Sequence, residues 1–198
     1  MNNKIGIGIA GLGTVGEGFL KQLKKYKTSN KKSSNFELIN IAVKNLRKKR
    51  NVTTKNLPLI KDTLSLASNP KIDIVIELIG GSSGVAYKLV KKSLMNGKSI
   101  ITANKALLAI HGNELIKIAE KNNCFISFEA AIAGGIPVVK AIRENLKFNE
   151  ITKVYGILNG TCNYILTKME TEGKDFNSVL KDAQNLGFAE LDPSFDIK

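Results

Sequence analysis

A chain of 198 residues has room for one large domain, or for one domain and part of a second. Its 43% hydrophobic content suits a globular protein with a sizeable core, and no segment approaches the roughly 20 apolar residues of a membrane span. The net charge of +13 invites a nucleic-acid partner, yet it is local: residues 1–60 hold thirteen lysines and arginines against only Glu17 and Glu37, a balance of +11. No aromatic residues interleave with this basic run to stack bases, and solvated lysines on helix faces give the same pattern. The expectation is therefore no nucleic acid and no membrane. Cys124 and Cys162 lie far apart outside any CxxC pattern, as two buried free thiols in a reducing cytosol would. The start, Met1-Asn2-Asn3-Lys4, lacks the apolar stretch of a signal peptide, so a cytoplasmic location is expected.

Ile5 to Ala10 is a short apolar strand with glycines at alternate positions, ending in Gly11-Leu12-Gly13-Thr14-Val15-Gly16. A helix follows with Val15, Phe19, Leu20 and Leu23 on one face. Lys27 to Asn35 is a polar loop, and Phe36 to Val43 a second strand leading into Lys44 and the basic run Arg47 to Arg50. Ile72 to Leu78 is a β-branched strand of the kind covered on both faces, ended by Gly80-Gly81. Val85 to Asn96 is a helix closed by Gly97, and Ser99 to Thr102 a strand with Asn104-Lys105 just beyond it. Glu114 to Asn122 is helical, Cys124 to Ala130 a strand, and Pro137 the opening of a further helix. Strands alternating with helices imply a parallel sheet with right-handed crossovers. From Ile151 the pattern changes: Ile151 to Leu158 a strand, Cys162 to Glu172 a helix, and Asp175 to Asn185 a second helix capped by Asp175 and stopped by Gly187.

Gly11-x-Gly13-x-x-Gly16 lies between a strand and a helix, where a dinucleotide fingerprint belongs. The first glycine makes the tight turn, the second admits backbone to the pyrophosphate, and the third lets helix pack on strand. Main-chain N–H groups of Gly11, Leu12, Gly13, Thr14, Val15 and Gly16 then face the phosphates at a helix start. The second strand ends Ala42-Val43-Lys44-Asn45 with Arg47 close behind and no carboxylate to grip a ribose 2′-hydroxyl. Lys44 and Arg47 favour the 2′-phosphate of NADP, with NAD still open.

Five ordered segments spanning essentially the whole chain resemble the homoserine dehydrogenase family. They are Ile74 to Gly81, Thr102 to Ala109, Phe128 to Pro137, Gly156 to Leu166 and Gly187 to Asp196. The resemblance implies interconversion of L-homoserine and L-aspartate 4-semialdehyde with NAD or NADP, in threonine and methionine biosynthesis. It implies an α/β fold: a Rossmann-type, doubly wound parallel sheet over residues 1–147. Residues 148–198 would then begin an incomplete α+β domain for substrate binding and dimerisation, giving a homodimer at full length.

By the same resemblance, Lys105 is the lysine between cofactor and substrate, catalytic and cofactor-binding together, with Thr102 beside the cofactor. Glu190 binds the substrate's amino group and Asp196 is a second acidic contact. Glu129 and the backbone of Ile132, Gly134 and Ile136 match a monovalent-cation site, sodium for example, although Gly-Gly-x-Pro is equally a strand-to-helix turn. The family's catalytic aspartate and proton-donor lysine would fall after Lys198, so the chain as given is expected to be a fragment with little or no turnover. His111 reads as a helix-start or surface residue and Cys162 as a small core residue. Three rivals stay open: another Rossmann oxidoreductase of small oxo acids, a non-catalytic nucleotide-binding module, and a nucleic-acid binder using the basic amino-terminal third.

Overall fold

The computed structural model describes residues 4–29, 35–157, 159–189 and 193. The chain divides into two compact units, Met1–Lys147 and Phe148–Lys198. In the first, strands β1 (Ile5–Ala10), β2 (Phe36–Ala42), β3 (Leu59–Ile60), β4 (Ile74–Glu77), β5 (Ser99–Thr102) and β6 (Ile126–Ser127) form one sheet. Helices α1 (Thr14–Ser29), α2 (Ser65–Ser68), α3 (Val85–Met95) and α4 (Lys105–Lys121) connect them, and short turns α5 (Glu129–Ile132) and α6 (Val138–Lys140) follow. A π-helical turn over Ala141–Asn145 ends this part.

The sheet is parallel throughout, in the order β3-β2-β1-β4-β5-β6. Its apolar strands carry side chains to both faces. Ile7, Ile9 and Ile76 pack with Leu12 and Leu20 of the α1 side, while Val75 and Ile100 pack with Leu89, Leu94, Leu107 and Leu115 of α3 and α4. Both faces are therefore covered, the doubly wound arrangement expected from the alternating strands and helices. The chain runs leftwards from β1 and then returns to place β4 on the other side of β1. This reversal is the topological switch point, where open α/β sheets leave a crevice at the carboxyl ends of their strands.

The amino ends of the central strands close differently. The N–H of Gly6 donates to Asp73 Oδ2 at 2.7 Å, and a Cβ at Gly6 would lie 1.8 Å from the Lys71 carbonyl oxygen. A Cβ at Gly8 would lie 2.8 Å from Ile72 Cδ1. Only glycine fits at position 6, against main chain; at position 8 a larger residue displaces the end of the Ile72 side chain.

Several elements differ from the sequence reading. α1 continues through Ser29 into the stretch read as a loop. α4 begins at Lys105, nine residues before the expected helix, because the Asn104 side chain accepts the Leu107 N–H at 3.1 Å and caps it. His111 is consequently inside α4, not at its start. The strand expected over Cys124 to Ala130 shortens to Ile126–Ser127, and Glu129 enters a helical turn.

The second unit holds helices α7 (Gly160–Glu172) and α8 (Phe176–Leu186). Asn159 caps α7 through Cys162 N–H at 2.9 Å, so the helix starts two residues earlier than read. Asp175 caps α8 through Ser178 N–H at 3.1 Å, and Gly187 ends it with φ +78°, both as expected. No strand forms over the described residues 151–157, where Val154, Tyr155 and Ile157 are exposed. Apolar alternation makes a strand only where a neighbour supplies a hydrogen-bonded ladder, and the described residues offer none.

Candidate nucleotide site at the sheet switch point

β1 delivers the chain into the glycine turn, and each glycine there answers a different steric demand. Gly11 has φ +99°, and a Cβ on it would lie 2.5 Å from the Leu78 carbonyl oxygen of the segment after β4. A Cβ on Gly16 would lie 2.7 Å from the Gly11 carbonyl oxygen, so this glycine lets α1 pack on the turn. Gly13 is different: a Cβ there meets nothing within 4 Å, so the open space in front of it belongs to no part of the protein. Gly13, Thr14 and Val15 are exposed, whereas Leu12 is buried and offers only its main chain. The first N–H groups of a helix such as α1 have no intrahelical acceptor, and Gly13 lies immediately before that helix start.

The neighbouring side of the crevice is built by a buried carboxylate that the sequence reading quoted within a motif and gave no role. Glu77 ends β4 and is fully buried. Its Oε1 accepts the N–H groups of Ile79 at 2.8 Å and Gly80 at 3.1 Å, shaping the turn in which Gly80 and Gly81 both have φ +82°. Its Oε2 accepts the Thr102 hydroxyl at 2.6 Å, and Thr102 Oγ1 in turn accepts the Asn104 N–H at 3.0 Å. Asn104 Nδ2 donates to the Gly81 carbonyl at 2.7 Å. One network thus joins the ends of β4 and β5 to the start of α4 and sets Lys105 at the first helical position, where it is exposed. Thr102 enters this site as a buried link, its hydroxyl occupied by Glu77 and Asn104. The available signal was a single acidic residue inside an otherwise apolar strand, since a lone charge at a buried position marks a hydrogen-bonded anchor.

Lys44 and Arg47 lie beyond the end of β2, both exposed; the Arg47 N–H donates to Asn45 Oδ1 at 2.9 Å. Behind Lys105, a cavity of about 360 Å³ is lined by Leu108, Gly112, Phe128 and Ile132. Glu129 is half-buried at the start of α5, and its Oε2 is buried with no hydrogen-bond partner. Ile132, Gly134 and Ile136 follow it in a turn where Ile136 N–H donates to the Ala133 carbonyl at 2.8 Å. Among the described residues no group of three or more His, Cys, Asp or Glu could hold a metal ion.

In the second unit, Thr161 Oγ1 donates to the Phe188 carbonyl at 2.9 Å, and the Tyr164 and Phe188 rings lie 5.1 Å apart. These contacts fix residues 187–189 against the start of α7. Glu190 and Asp196 lie outside the described residues. His111 stacks on Tyr87 with ring centroids 4.2 Å apart, in a cluster with Lys91 and Glu114 that ties α3 to α4. Cys124 and Cys162 are thiols outside any disulfide, half-buried rather than buried. No helix among the described residues is long and apolar enough to cross a membrane.

A family model described as homoserine dehydrogenase, NAD binding domain, matches residues 11–129, and one described as homoserine dehydrogenase matches residues 137–198. The homoserine dehydrogenase of Pseudomonas aeruginosa is 45% identical over 194 residues, which is 97% of this chain and 44% of that protein. A homoserine dehydrogenase structure from Thiobacillus denitrificans superposes with a TM-score of 0.86 at 43% identity, covering 98% of this chain and 45% of that one. A hyperthermophilic archaeal homoserine dehydrogenase in complex with NADPH superposes with a TM-score of 0.74 at 27% identity, covering 98% of this chain and 65% of that one. The chain thus spans less than half the length of the first two. With matches in order from the glycine turn to its last residue, this chain belongs to the homoserine dehydrogenase family.

Proposed function

We propose that this chain supplies the nicotinamide-nucleotide site, and the beginning of the substrate site, of an enzyme interconverting L-homoserine and L-aspartate 4-semialdehyde, with NADP preferred over NAD. The observation that carries this reading is the open space at Gly13, at the switch point and at the start of α1, where a helix's first N–H groups lack intrahelical acceptors. In this reading the main chain from Gly11 to Gly16 holds the pyrophosphate. Lys44 and Arg47 receive the 2′-phosphate at the end of β2, where no carboxylate stands to prefer a 2′-hydroxyl. The NADPH complex of the archaeal relative supports the same cofactor class.

When bound, the nicotinamide donates or accepts the hydride. The protein's own part is to orient the reactants and to stabilise charge. Lys105, presented by the Glu77–Thr102–Asn104 network, lies at the mouth of the crevice, where its ammonium holds the reacting oxygen as negative charge develops there. Glu190 and Asp196 pair with the substrate ammonium. The orphaned Oε2 of Glu129 fits a hard monovalent cation held by that oxygen and carbonyls of the adjoining turn, Ile132, Gly134 and Ile136. Such an ion stiffens the segment that leads out of the first unit. A homodimer and a cytoplasmic location follow from the same family reading.

Titrating the 198-residue chain with NADPH and NADH, followed by nicotinamide fluorescence, tests the nucleotide half. Saturable uptake, tighter for NADPH, is expected; no saturable uptake of either overturns the reading. Formation of NADPH from L-homoserine, assayed with the chain extended to the length of its relatives, tests the reaction. Nucleotide binding without that turnover would favour a non-catalytic module.

A further inference from the structure

Five cations follow β2, and four of them, Lys44, Arg47, Lys48 and Lys49, are exposed. Arg50 is used differently. Its Nη2 donates to the Asn45 carbonyl at 2.8 Å and its Nη1 to the Lys48 carbonyl at 3.0 Å. Its Nε reaches the Leu12 carbonyl at 3.4 Å, inside the glycine turn. The next residue extends the attachment: Asn51 N–H donates to both carboxylate oxygens of Glu17, at 3.2 and 3.3 Å, in the first turn of α1. The far end of the basic loop is therefore fastened to the two pieces of backbone that form the pyrophosphate site.

This arrangement answers a physical difficulty. Four exposed like charges within six residues repel one another, and a loop left to that repulsion opens and must be reordered when an anion arrives. A planar guanidinium with five fixed donors can bridge three carbonyls at once; a lysine ammonium cannot reproduce that fork. The Leu12 link also fixes the loop's position relative to the glycine turn, hence relative to any diphosphate resting there.

We propose that Arg50 is a positioning residue that sets the preference for 2′-phosphorylated nucleotides: it holds Lys44, Arg47 and their neighbours in place and is not itself a phosphate ligand. This rests on the nucleotide reading above. The loop meets only the 2′ position, so its loss of order penalises NADPH and spares NADH, whose pyrophosphate is held by the glycine turn.

The test compares Arg50→Gln, Arg50→Lys and Lys44→Gln in the 198-residue chain, measuring Kd for NADPH and NADH at two salt concentrations. Both Arg50 variants are expected to weaken NADPH about tenfold or more, the scale of lost hydrogen bonds from a charged group, and to leave NADH within about threefold. The salt dependence of NADPH binding should persist in Arg50→Gln, because the cations that meet the phosphate remain, and should flatten in Lys44→Gln. Equal weakening of both nucleotides, or no weakening, overturns the proposal. So does full retention of NADPH affinity in Arg50→Lys, or a flattened salt dependence in Arg50→Gln, since either makes Arg50 a direct ligand. Arg50→Lys keeps charge and stem, so a folded variant remains if the glutamine form is unstable. Wild-type chain that binds neither nucleotide sinks the underlying reading instead.

Discussion

Glu77 and Thr102 are register partners on adjacent parallel strands, and their side chains meet at 2.6 Å where both strands end. Among the described residues no cation contributes to Glu77's hydrogen bonds; they come from two main-chain N–H groups and this hydroxyl. Replacing Glu77 by Ala leaves three donors without their acceptor, the Thr102 hydroxyl in the interior and the Ile79 and Gly80 N–H groups in the exposed turn. We expect a loss of about 3–5 kcal/mol in urea denaturation. Thr102→Val should cost about 1–3 kcal/mol, because it strands one carboxylate oxygen and the Asn104 N–H. If Thr102→Val is as stable as the parent, the network does not organise this end of the sheet.

Two glycines three residues apart should respond in opposite ways. Gly16→Ala drives a Cβ to 2.7 Å from a main-chain oxygen, so α1 must shift and the melting temperature should fall. Gly13→Ala meets nothing within 4 Å and should leave the melting temperature unchanged. Its methyl instead occupies the space proposed for the diphosphate, and NADPH affinity should fall at least about tenfold. Calorimetry with and without NADPH separates the two effects.

Asn104 combines a helix cap with a bond to the Gly81 carbonyl. Asn104→Ala should cost about 1 kcal/mol for the cap and somewhat more for the second bond. Amide exchange over Lys105 to Leu108 should accelerate while exchange in α3 stays unchanged. Uniform acceleration across both helices would show a general loss of stability instead.

The parallel sheet was legible because β-branched runs such as Ile74-Val75-Ile76 alternate with helical periodicity, and because glycine follows β1 at Gly11 and β4 at Gly80-Gly81. The glycine turn was legible for the same reason: steric demands leave a residue signature. α4 was half-legible, since Gly112 costs about 1 kcal/mol in a helix interior and masks a continuity that Asn104 enforces from outside. Glu77 and Arg50 were visible as residues but not as roles. Their partners are main-chain atoms 2–38 residues away and, for Glu77, the Thr102 hydroxyl on the neighbouring strand, brought together by the fold. The 151–157 segment misled for the converse reason: alternation describes a strand's faces but does not supply its neighbour.

Glu129 offers a direct test of the proposed cation. Its buried Oε2 has no partner, so a bound ion removes that penalty and should stabilise the fold. Sodium chloride should raise the melting temperature more than choline chloride at equal ionic strength, and Glu129→Gln should abolish the difference. An equal response to both salts in the parent protein removes the cation from the reading.

Acid should loosen the α7–α8 pair before it unfolds neutral-surface regions. Hydrogen bonds from Lys168 and then Lys174 hold the Glu172 carboxylate at about 2, well below its ordinary 4.5. A carboxylate depressed on folding stabilises above its ordinary range, and that contribution disappears as pH falls from about 4.5 towards about 2. Lys174 also reaches Asp182 of α8 at 3.6 Å, so the effect crosses between the helices. Amide exchange in α7 and α8 should accelerate over that window, less so in high salt, and Glu172→Gln should reduce the pH dependence, leaving the share of Asp175, whose carboxylate the Ser178 hydrogen bonds also hold below its ordinary range.

The glycines at 6 and 8 carry a consequence for biosynthesis. β1 is made before every other strand of its sheet, yet it ends between β2 and a β4 that starts at Ile74. Until both partners emerge, an apolar ribbon with two open edges is a template for self-association. Glycine lowers its tendency to pair prematurely, so the residues that permit the final fit also keep the nascent chain from seizing the wrong neighbour.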